Sequence, residues 1–307
     1  DFWTFRFSDL FRVDREADIF SEWVRRNVVH NIPWDQVAKD IIAAQGTGGV
    51  TEYYLGSYKT KDMKQAATEH LRLFMGRRFD CAECHNHPFD VWSQDQYWGI
   101  TSFFSPMTST ELRYDKVLYD DPKGEEIDLG VGTGDTTIRF FEPIQPRTKE
   151  LIHPTLLDGT VLPEDRRRDP RRALAEWMTS HPYFAEAIVN RMWGYFFGRG
   201  ITDPVDAIGS ANPSTNPELM QVLAEDFREN GHDLKHLIRR IVSSRTYQLS
   251  SIPNENNKYD VVNFSHAMPR RLEAEVLLDA ITEVTGVPVH FKEPGGKAVP
   301  PGTRAVQ

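Results

Sequence analysis

Apolar residues recur at helical spacing through three early segments of the chain, 17–30, 33–44 and 61–75. In the first segment the apolar positions that share one helical face are Ile19, Phe20, Trp23, Val24 and Val28. Such spacing, rather than strict alternation, predicts α-helices. Pro33 suits the first turn of the second helix, and Gly76 suits the end of the third. We therefore expect residues 1–108 to form a mostly helical domain.

The pattern changes between residues 109 and 162. Three short runs rich in β-branched and aromatic residues, 112–119, 136–141 and 150–153, stand between turn-forming dipeptides. Short runs of this kind are typical of strands joined by turns. We expect residues 109–162 to form a small β-containing connector.

Helical spacing returns in residues 163–307. Segments 171–179 and 183–197 are apolar on one side or rich in aromatics, and Gly198 ends the second. Asn216 with Pro217, and later Asp233, are typical helix starts, and a last helix is expected over 270–284. The predicted fold class is mainly α, with two helical lobes and a small β-containing connector.

Composition limits the classes of function. The chain has 307 residues, a net charge of -9 and a mean hydropathy of -0.51. An acidic chain is a poor partner for nucleic acid, because phosphate binding needs a cationic face. No apolar run approaches the roughly 18 residues of a spanning helix, so the chain is not expected to cross a membrane. The sequence sets no oligomeric state.

The only two cysteines of the chain stand close together, in the run Cys81-Ala82-Glu83-Cys84-His85. This is the C-x-x-C-H pattern of c-type haem attachment. Two thiols add across the two vinyl groups on one edge of the porphyrin, and the adjacent histidine reaches the iron axially. A haem also needs apolar walls, and the aromatic residues that follow the motif are candidates: Phe89, Trp92, Tyr97, Trp98, Phe103 and Phe104.

Other chemistry remains open for the same residues. Cys81, Cys84, His85 and His87 are residue types that also bind zinc, although zinc sites usually draw a second ligand pair from a distant segment. A Cys81–Cys84 disulfide or a redox-active dithiol would explain the cysteine spacing but would not require His85. We therefore expect covalent haem c first and zinc as the alternative.

The remaining groups of a haem site are less defined by sequence. His70 shares a helical face with Ala67 and Phe74, so it is a candidate second iron ligand or a buried structural residue. His87 is too close to His85 to reach the opposite face of one ring, and we assign it a hydrogen-bonding or proton-transfer role as the candidate catalytic residue. Arg191, on an aromatic helix, could bind a haem carboxylate or pair between helices.

The strings FMGRRFDCAECHNHPFDVWSQDQYWGITSFF at 74–104 and PRRALAEWMTSHPYFAEAIVNRMWGYFFGRGITDPVDAIG at 170–209 resemble a known family. Segments 216–251 and 264–286 extend the likeness. The family comprises large secreted proteins of planctomycetes with paired domains of unknown function named for planctomycete cytochromes. The resemblance carries over Cys81, Cys84, His85 and His87 with Pro88 and Phe89. It implies an exported protein, and it suggests that the second domain continues beyond residue 307.

These observations lead to one main hypothesis and two alternatives. The main hypothesis is a periplasmic or extracellular c-type haem protein that transfers electrons to a redox partner or another cytochrome, or acts as a haem-dependent oxidoreductase. The first alternative is a zinc- or iron-binding hydrolase that uses the Cys/His cluster. The second is a non-enzymatic envelope or filament subunit in which the motif is a structural clip.

Overall fold

The fold is mainly α-helical, as the sequence predicts. A computed structural model describes residues 1–12, 18–47, 49–51, 53, 63–105, 107–111, 116–120, 137–139, 144–145, 147–291, 299 and 302–306. The helices of the first part are α1 (Phe2–Leu10), α2 (Asp18–His30), α3 (Trp34–Ile42), α4 (Met63–Met75) and α5 (Gln94–Thr101). Those of the second part are α6 (Pro170–Ser180), α7 (Pro182–Phe197), α8 (Pro217–Glu229), α9 (Leu234–Val242) and α10 (Ala274–Thr285).

Helix α5 was not predicted from the pattern. Six of its eight residues are buried and only Asp95 is exposed, so its sequence lacks the continuous polar stripe that marks a surface helix. The local start signal is nevertheless present. Ser93 Oγ accepts a hydrogen bond from the Gln96 N–H, and Gln96 Oε1 accepts one from the Ser93 N–H, which is a capping box.

Three helices of the second part begin at side-chain caps of the residue types that favour helix starts. Side chains of Asp169, Asn216 and Asp233 accept hydrogen bonds from N–H groups in the first turns of α6, α8 and α9. Each satisfies a backbone donor that has no partner within its helix. Helix α7 ends at Gly198 in the left-handed conformation, as the sequence predicts.

A small antiparallel sheet joins the first domain to the connector. Its strands are β1 (Gly46–Thr47), β2 (Met107–Glu111), β3 (Lys116–Asp120) and β4 (Thr137–Arg139), in the order β1-β3-β2-β4. Strands β3 and β4 fall in two of the predicted runs, whose residues 112–115, 136 and 140–141 lie outside the described part. The third run forms a single bridge between Ile144 and Leu151 instead of a strand.

The helical parts before and after the connector share one hydrophobic core. Phe74 on α4 stacks on Phe184 of α7 with their ring centroids 6.4 Å apart, and Trp34 of α3 packs on Phe74 at 5.9 Å. All three side chains are almost fully buried. Packing of this kind supplies most of the stability of helices this short.

A network of charges joins the same two helices. Arg191 of α7 is 2% exposed and donates a hydrogen bond of 2.8 Å to the carbonyl of Leu73, near the end of α4. Its guanidinium also pairs with Asp206, and Arg72 donates to the other oxygen of Asp206 at 2.7 Å. Burial alone raises the pKa of Asp206, but the two arginines outweigh that effect and hold the pKa below its usual range.

Within the described residues, none of the helices combines the length and the apolar character that a bilayer crossing requires.

Candidate functional site

The two cysteines lie at the surface, in the segment between α4 and α5. A short 3₁₀ turn, Asp80–Glu83, directs Ala82 into the core while Cys81 and Cys84 stay exposed. Both thiols are free, so they are not joined in a disulfide. The turn follows Phe79, which is fully buried against Trp92 with a centroid distance of 4.5 Å. The core therefore fixes the turn and presents both sulfur atoms to solvent.

Residues of helix α5 form hydrogen bonds with Glu83 and Asn86, on either side of Cys84 and His85. The carbonyl oxygen of Glu83 accepts hydrogen bonds from Gln94 Nε2 at 2.9 Å and from Trp98 Nε1 at 3.2 Å. The side-chain oxygen of Asn86 accepts one from the Gln94 N–H at 3.0 Å. The segment that carries Cys84 and His85 is thus fixed between these hydrogen bonds.

His85 and His87 form hydrogen bonds through Nδ1 in opposite directions: His85 donates and His87 accepts. His85 Nδ1 lies 2.7 Å from the carbonyl oxygen of Asn86. A carbonyl only accepts, so Nδ1 carries a proton, and in the neutral ring Nε2 has the lone pair. His87 Nδ1 instead accepts a hydrogen bond of 3.2 Å from the N–H of Phe89, so in the neutral ring the proton is on Nε2. His85 is therefore prepared to be a metal ligand through Nε2, and His87 to be a hydrogen-bond donor.

The loop between His87 and Trp92 is closed by an internal hydrogen bond, and further hydrogen bonds connect it to the second part of the chain. The His87 N–H donates to the carbonyl of Trp92 at 2.7 Å. Asp90 Oδ1 accepts a hydrogen bond of 2.9 Å from Ser210 Oγ. Burial raises the pKa of Asp90, but hydrogen bonds from the Val91 N–H and from Ser210 outweigh it and lower the pKa. A side chain at Gly209 would meet Asp90 Oδ2 at 2.1 Å, so Asp90 would have to move from its present position.

An open groove of about 540 Å³ lies beside the motif. Its lining residues are Cys84, His85, Asn86, Ser93, Gln94, Asp95 and Arg147. The first six belong to the motif, the residue after it and the start of α5, whereas Arg147 comes from the connector. The groove therefore brings a thiol, an imidazole and a guanidinium together.

A pair of buried glutamines places the connector beside the groove. Gln145 Nε2 donates a hydrogen bond of 3.0 Å to Gln94 Oε1, and the two residues are 3% and 7% exposed. Gln145 Oε1 in turn accepts from the N–H groups of Arg147 and Thr148. A continuous set of hydrogen bonds thus runs from Glu83 to the turn that carries Arg147.

The predicted aromatic walls lie elsewhere. Of these residues Phe89 is 72% exposed and stands beside the motif, while Trp92 is 6% exposed and packs on Phe79. The other four are buried core residues: Tyr97, Trp98, Phe103 and Phe104. They stabilise α5 and the segment after it instead of facing the groove.

His70 is a core residue. It is 1% exposed, its Nδ1 lies 2.6 Å from the carbonyl of Ala66, and its ring packs on Phe104 at a centroid distance of 5.0 Å. Of the two roles considered for His70, these contacts favour a structural role over iron binding. The guanidinium of Arg191 is likewise bound to the Leu73 carbonyl and to Asp206. It does not reach the groove, so the pairing role between helices applies.

In the described part of the chain, no group of three or more His, Cys, Asp or Glu side chains is placed to hold a metal ion. This part includes Cys81, Cys84, His85 and His87, so the four ligands considered for zinc do not converge. The donors that the structure offers are two separate thiols and one imidazole at the surface.

Sequence reasoning missed Arg147, Gln94 and Gln145. Arg147 stands 62 residues after His85, and no local pattern marks it. The glutamines look like ordinary polar residues in the sequence, and only their burial reveals their role. A buried amide must be hydrogen-bonded, so their pairing follows once the fold is known.

Two family models match the chain. Residues 2–109 match PSCyt2, a protein of unknown function (DUF1549), and residues 170–306 match PSD1, a protein of unknown function (DUF1553). Comparison with curated proteins and with solved structures gives no significant match. The matched ranges lie close to the predicted domains 1–108 and 163–307, whose bounds stay a prediction. The chain carries the DUF1549 and DUF1553 domains in this order, a pairing typical of planctomycete-type proteins.

Proposed function

We propose that this chain is an exported c-type haem protein that transfers electrons. Cys81 and Cys84 would hold the haem through thioethers, and His85 would bind its iron through Nε2. The observation that carries the proposal is the arrangement of these three residues. Two exposed free thiols stand beside a histidine whose Nδ1–H is bound to a backbone carbonyl, which leaves Nε2 available.

The two thiols and the imidazole are the residue types that attach and ligate a haem. Both cysteines are exposed, and an open groove with a polar lining adjoins Cys84 and His85, so the groove supplies no apolar wall for a porphyrin. A haem attached to these residues supplies a one-electron couple. The contribution of the chain is to hold the attachment turn rigid, to orient His85 and to set the polarity of the groove.

The surroundings favour electron transfer over chemistry in an enclosed pocket. The groove is lined by polar side chains and is open to solvent, while the aromatic residues after the motif are mostly in the core. The exposed apolar side chains next to the motif are Phe89 and Val91, at 72% and 71%. An exposed site suits exchange with a redox partner or another cytochrome. A haem-dependent oxidation with His87 as hydrogen-bond donor is the second form of the proposal.

The proposal includes a periplasmic or extracellular location. Covalent haem attachment of this type takes place outside the cytoplasm, and the resemblance to secreted planctomycete proteins supports the same compartment. An exported chain meets an oxidising compartment, so haem attachment has to precede oxidation of Cys81 and Cys84 to a disulfide.

The test is export of the chain in a bacterial host with working haem-attachment machinery. The purified protein should show a c-type α-band, and the colour should survive acid-acetone extraction and give one haem per chain in a pyridine haemochrome assay. The matched control is the double variant Cys81→Ser, Cys84→Ser, which should fold and lack covalent haem.

Absence of porphyrin from the unaltered chain in that host would overturn the proposal. One equivalent of zinc with no Soret band would then favour the metal-dependent hydrolase. A double serine variant that folds and assembles as the unaltered chain does, with neither carrying haem or metal, would favour a structural subunit.

A further inference from the structure

We propose that an apolar cleft between α1, α2, α3 and α9 binds a monocyclic aromatic molecule that carries an anionic group. The cleft shares none of its described lining residues with the groove beside Cys84 and His85, so the inference is independent of the proposed function. Most of its wall is aromatic. The rings that line it belong to Trp3, Phe7, Phe11, Trp23 and Trp34.

The size of the cleft suits one ring and excludes a larger cofactor. Its volume is about 50 Å³. One water needs about 10–15 Å³ of such space, so the cleft equals the room of about four waters. Water gains little there, because apolar walls offer it no hydrogen bonds, whereas dry apolar cavities take up molecules such as benzene. Size and lining together therefore favour a single aromatic ring.

The wall is held in place before any ligand binds. The ring of Phe7 lies 5.5 Å from that of Trp34 and 6.1 Å from that of Trp3, measured between centroids. Phe7 and Trp34 are 5% and 2% exposed, so the core fixes this part of the wall. Trp3 and Trp23 are only partly buried, so another part is open to solvent. A ligand ring among these side chains makes the edge and stacking contacts that aromatic pairs prefer.

Lys235 on α9 sets the charge preference of the cleft. It is the one charged residue among the described lining residues, and it is exposed. Its Nζ donates one hydrogen bond, of 3.3 Å, to the carbonyl of Val29. An ammonium has three donors, so it has capacity for a carboxylate as well. The polar lining residues Asn27 and Asn31 are uncharged and already donate to other protein groups. An anionic substituent is thus favoured over a cationic one.

The experiment titrates the full chain with toluene, phenylacetate and phenethylamine, which share one ring and differ in charge. Binding is followed by tryptophan fluorescence and by saturation-transfer NMR of the probe. Val28→Phe on α2 fills the cleft, and its matched control is Val222→Phe, since Val222 is 56% exposed on α8 and does not line the cleft. Lys235→Gln removes the charge, and Lys149→Gln is its control, since Lys149 is an exposed cation outside the cleft.

Circular dichroism checks the fold of each variant. Ile238→Phe, which fills the cleft from α9, replaces Val28→Phe if that variant does not fold.

We expect saturable binding of phenylacetate to the unaltered chain with a dissociation constant of about 1 mM or below. Toluene should bind more weakly, and phenethylamine more weakly still. The filling variant should lose all three probes, and Val222→Phe should match the unaltered chain. Lys235→Gln should weaken phenylacetate about two- to five-fold and leave toluene unchanged, as expected for an exposed charge pair. Lys149→Gln should change neither.

Absence of saturable binding of phenylacetate and toluene to the unaltered chain would overturn the inference. Binding that a folded filling variant retains would overturn it too, as would equal affinity for phenylacetate and phenethylamine. Analytical ultracentrifugation tests the other occupant of an apolar cleft. Self-association that the filling variant abolishes, with no probe bound, would assign the cleft to a second copy of the chain instead.

Discussion

The side-chain amide of Gln145 donates a hydrogen bond to the side-chain oxygen of Gln94 across a sequence separation of 51 residues. Both residues are almost completely buried, so neither amide has water as an alternative partner. Gln94 Nε2 continues to the carbonyl of Glu83. One side chain therefore bridges the connector and the C-x-x-C-H turn, and its removal affects both.

Replacement of Gln94 by alanine should lower the free energy of unfolding by about 1–3 kcal/mol. The change leaves the buried amide of Gln145 without its acceptor, and such a group costs its full desolvation penalty. Urea unfolding followed by circular dichroism measures the loss. The control is Gln221→Ala on α8, whose side chain is exposed and bonded to Glu225 alone. Equal stability of the two variants would contradict the bridging role.

The opposite hydrogen bonds of His85 and His87 predict different spectra for their variants. His85→Gln should change the visible spectrum or reduce the yield of covalent haem, because the Nε2 donor is removed. His87→Gln should keep the spectrum, since its Nδ1 is occupied by the Phe89 N–H and Nε2 carries a proton in the neutral ring. Visible spectra normalised to haem content test both. A normal spectrum for His85→Gln together with an altered one for His87→Gln would reverse the assignment.

His70→Ala should destabilise the chain without changing the site. The imidazole is buried among aromatic rings and bonded to the Ala66 carbonyl, so its truncation leaves a cavity and costs about 2–4 kcal/mol. Thermal or urea unfolding measures the loss. The visible spectrum of the folded variant should equal that of the unaltered chain, and a changed axial-ligand spectrum would show that His70 reaches the iron.

Asp206 should make stability depend on acid pH. Its pKa in the folded chain is lowered by Arg191 and Arg72 despite burial, so its stabilising effect is complete above its unfolded pKa of about 4. The effect is lost as pH falls through the lower folded value. Asp206→Asn should be less stable at pH 7 by about 3 kcal/mol, because Arg191 is left buried and uncompensated. The difference from the unaltered chain should shrink below pH 4.

Unfolding midpoints in urea between pH 7 and pH 3 test this prediction. Glu176→Gln breaks the exposed pair with Arg166, and it should change stability by less than about 1 kcal/mol at each pH. A constant difference between Asp206→Asn and the unaltered chain across this range would contradict the assigned cause.

The elements that sequence patterns predicted well are those with one buried face. Helices α2, α3 and α4 show apolar residues at helical spacing because their other faces meet solvent. Helix α5 was missed because most of its residues are buried, so only the Ser93–Gln96 capping box marks it. The strand β1 is two residues long and pairs with a strand more than 60 residues away, which no local pattern records.

The candidate site was predictable only in part for a similar reason. The haem attachment proposed for Cys81, Cys84 and His85 needs residues that are close in sequence, so the C-x-x-C-H pattern is visible directly. The aromatic residues after the motif were expected around the cofactor. Most of them lie in the core instead, because burial of large apolar rings stabilises the fold. Arg147 depends on contact between distant segments, and that contact exists only in the folded chain.

The shared packing of α4 on α7 has a consequence for how such chains vary. Gly76 has no side chain, and a methyl group there would lie 3.2 Å from Ala187 Cβ and 3.0 Å from Ile208 Cδ1. The two family matches are thus separate segments of the sequence, but they pack around one shared core. Substitutions on one side limit the size of the residues tolerated on the other, so we expect the two segments to be inherited, and to change, as a matched pair.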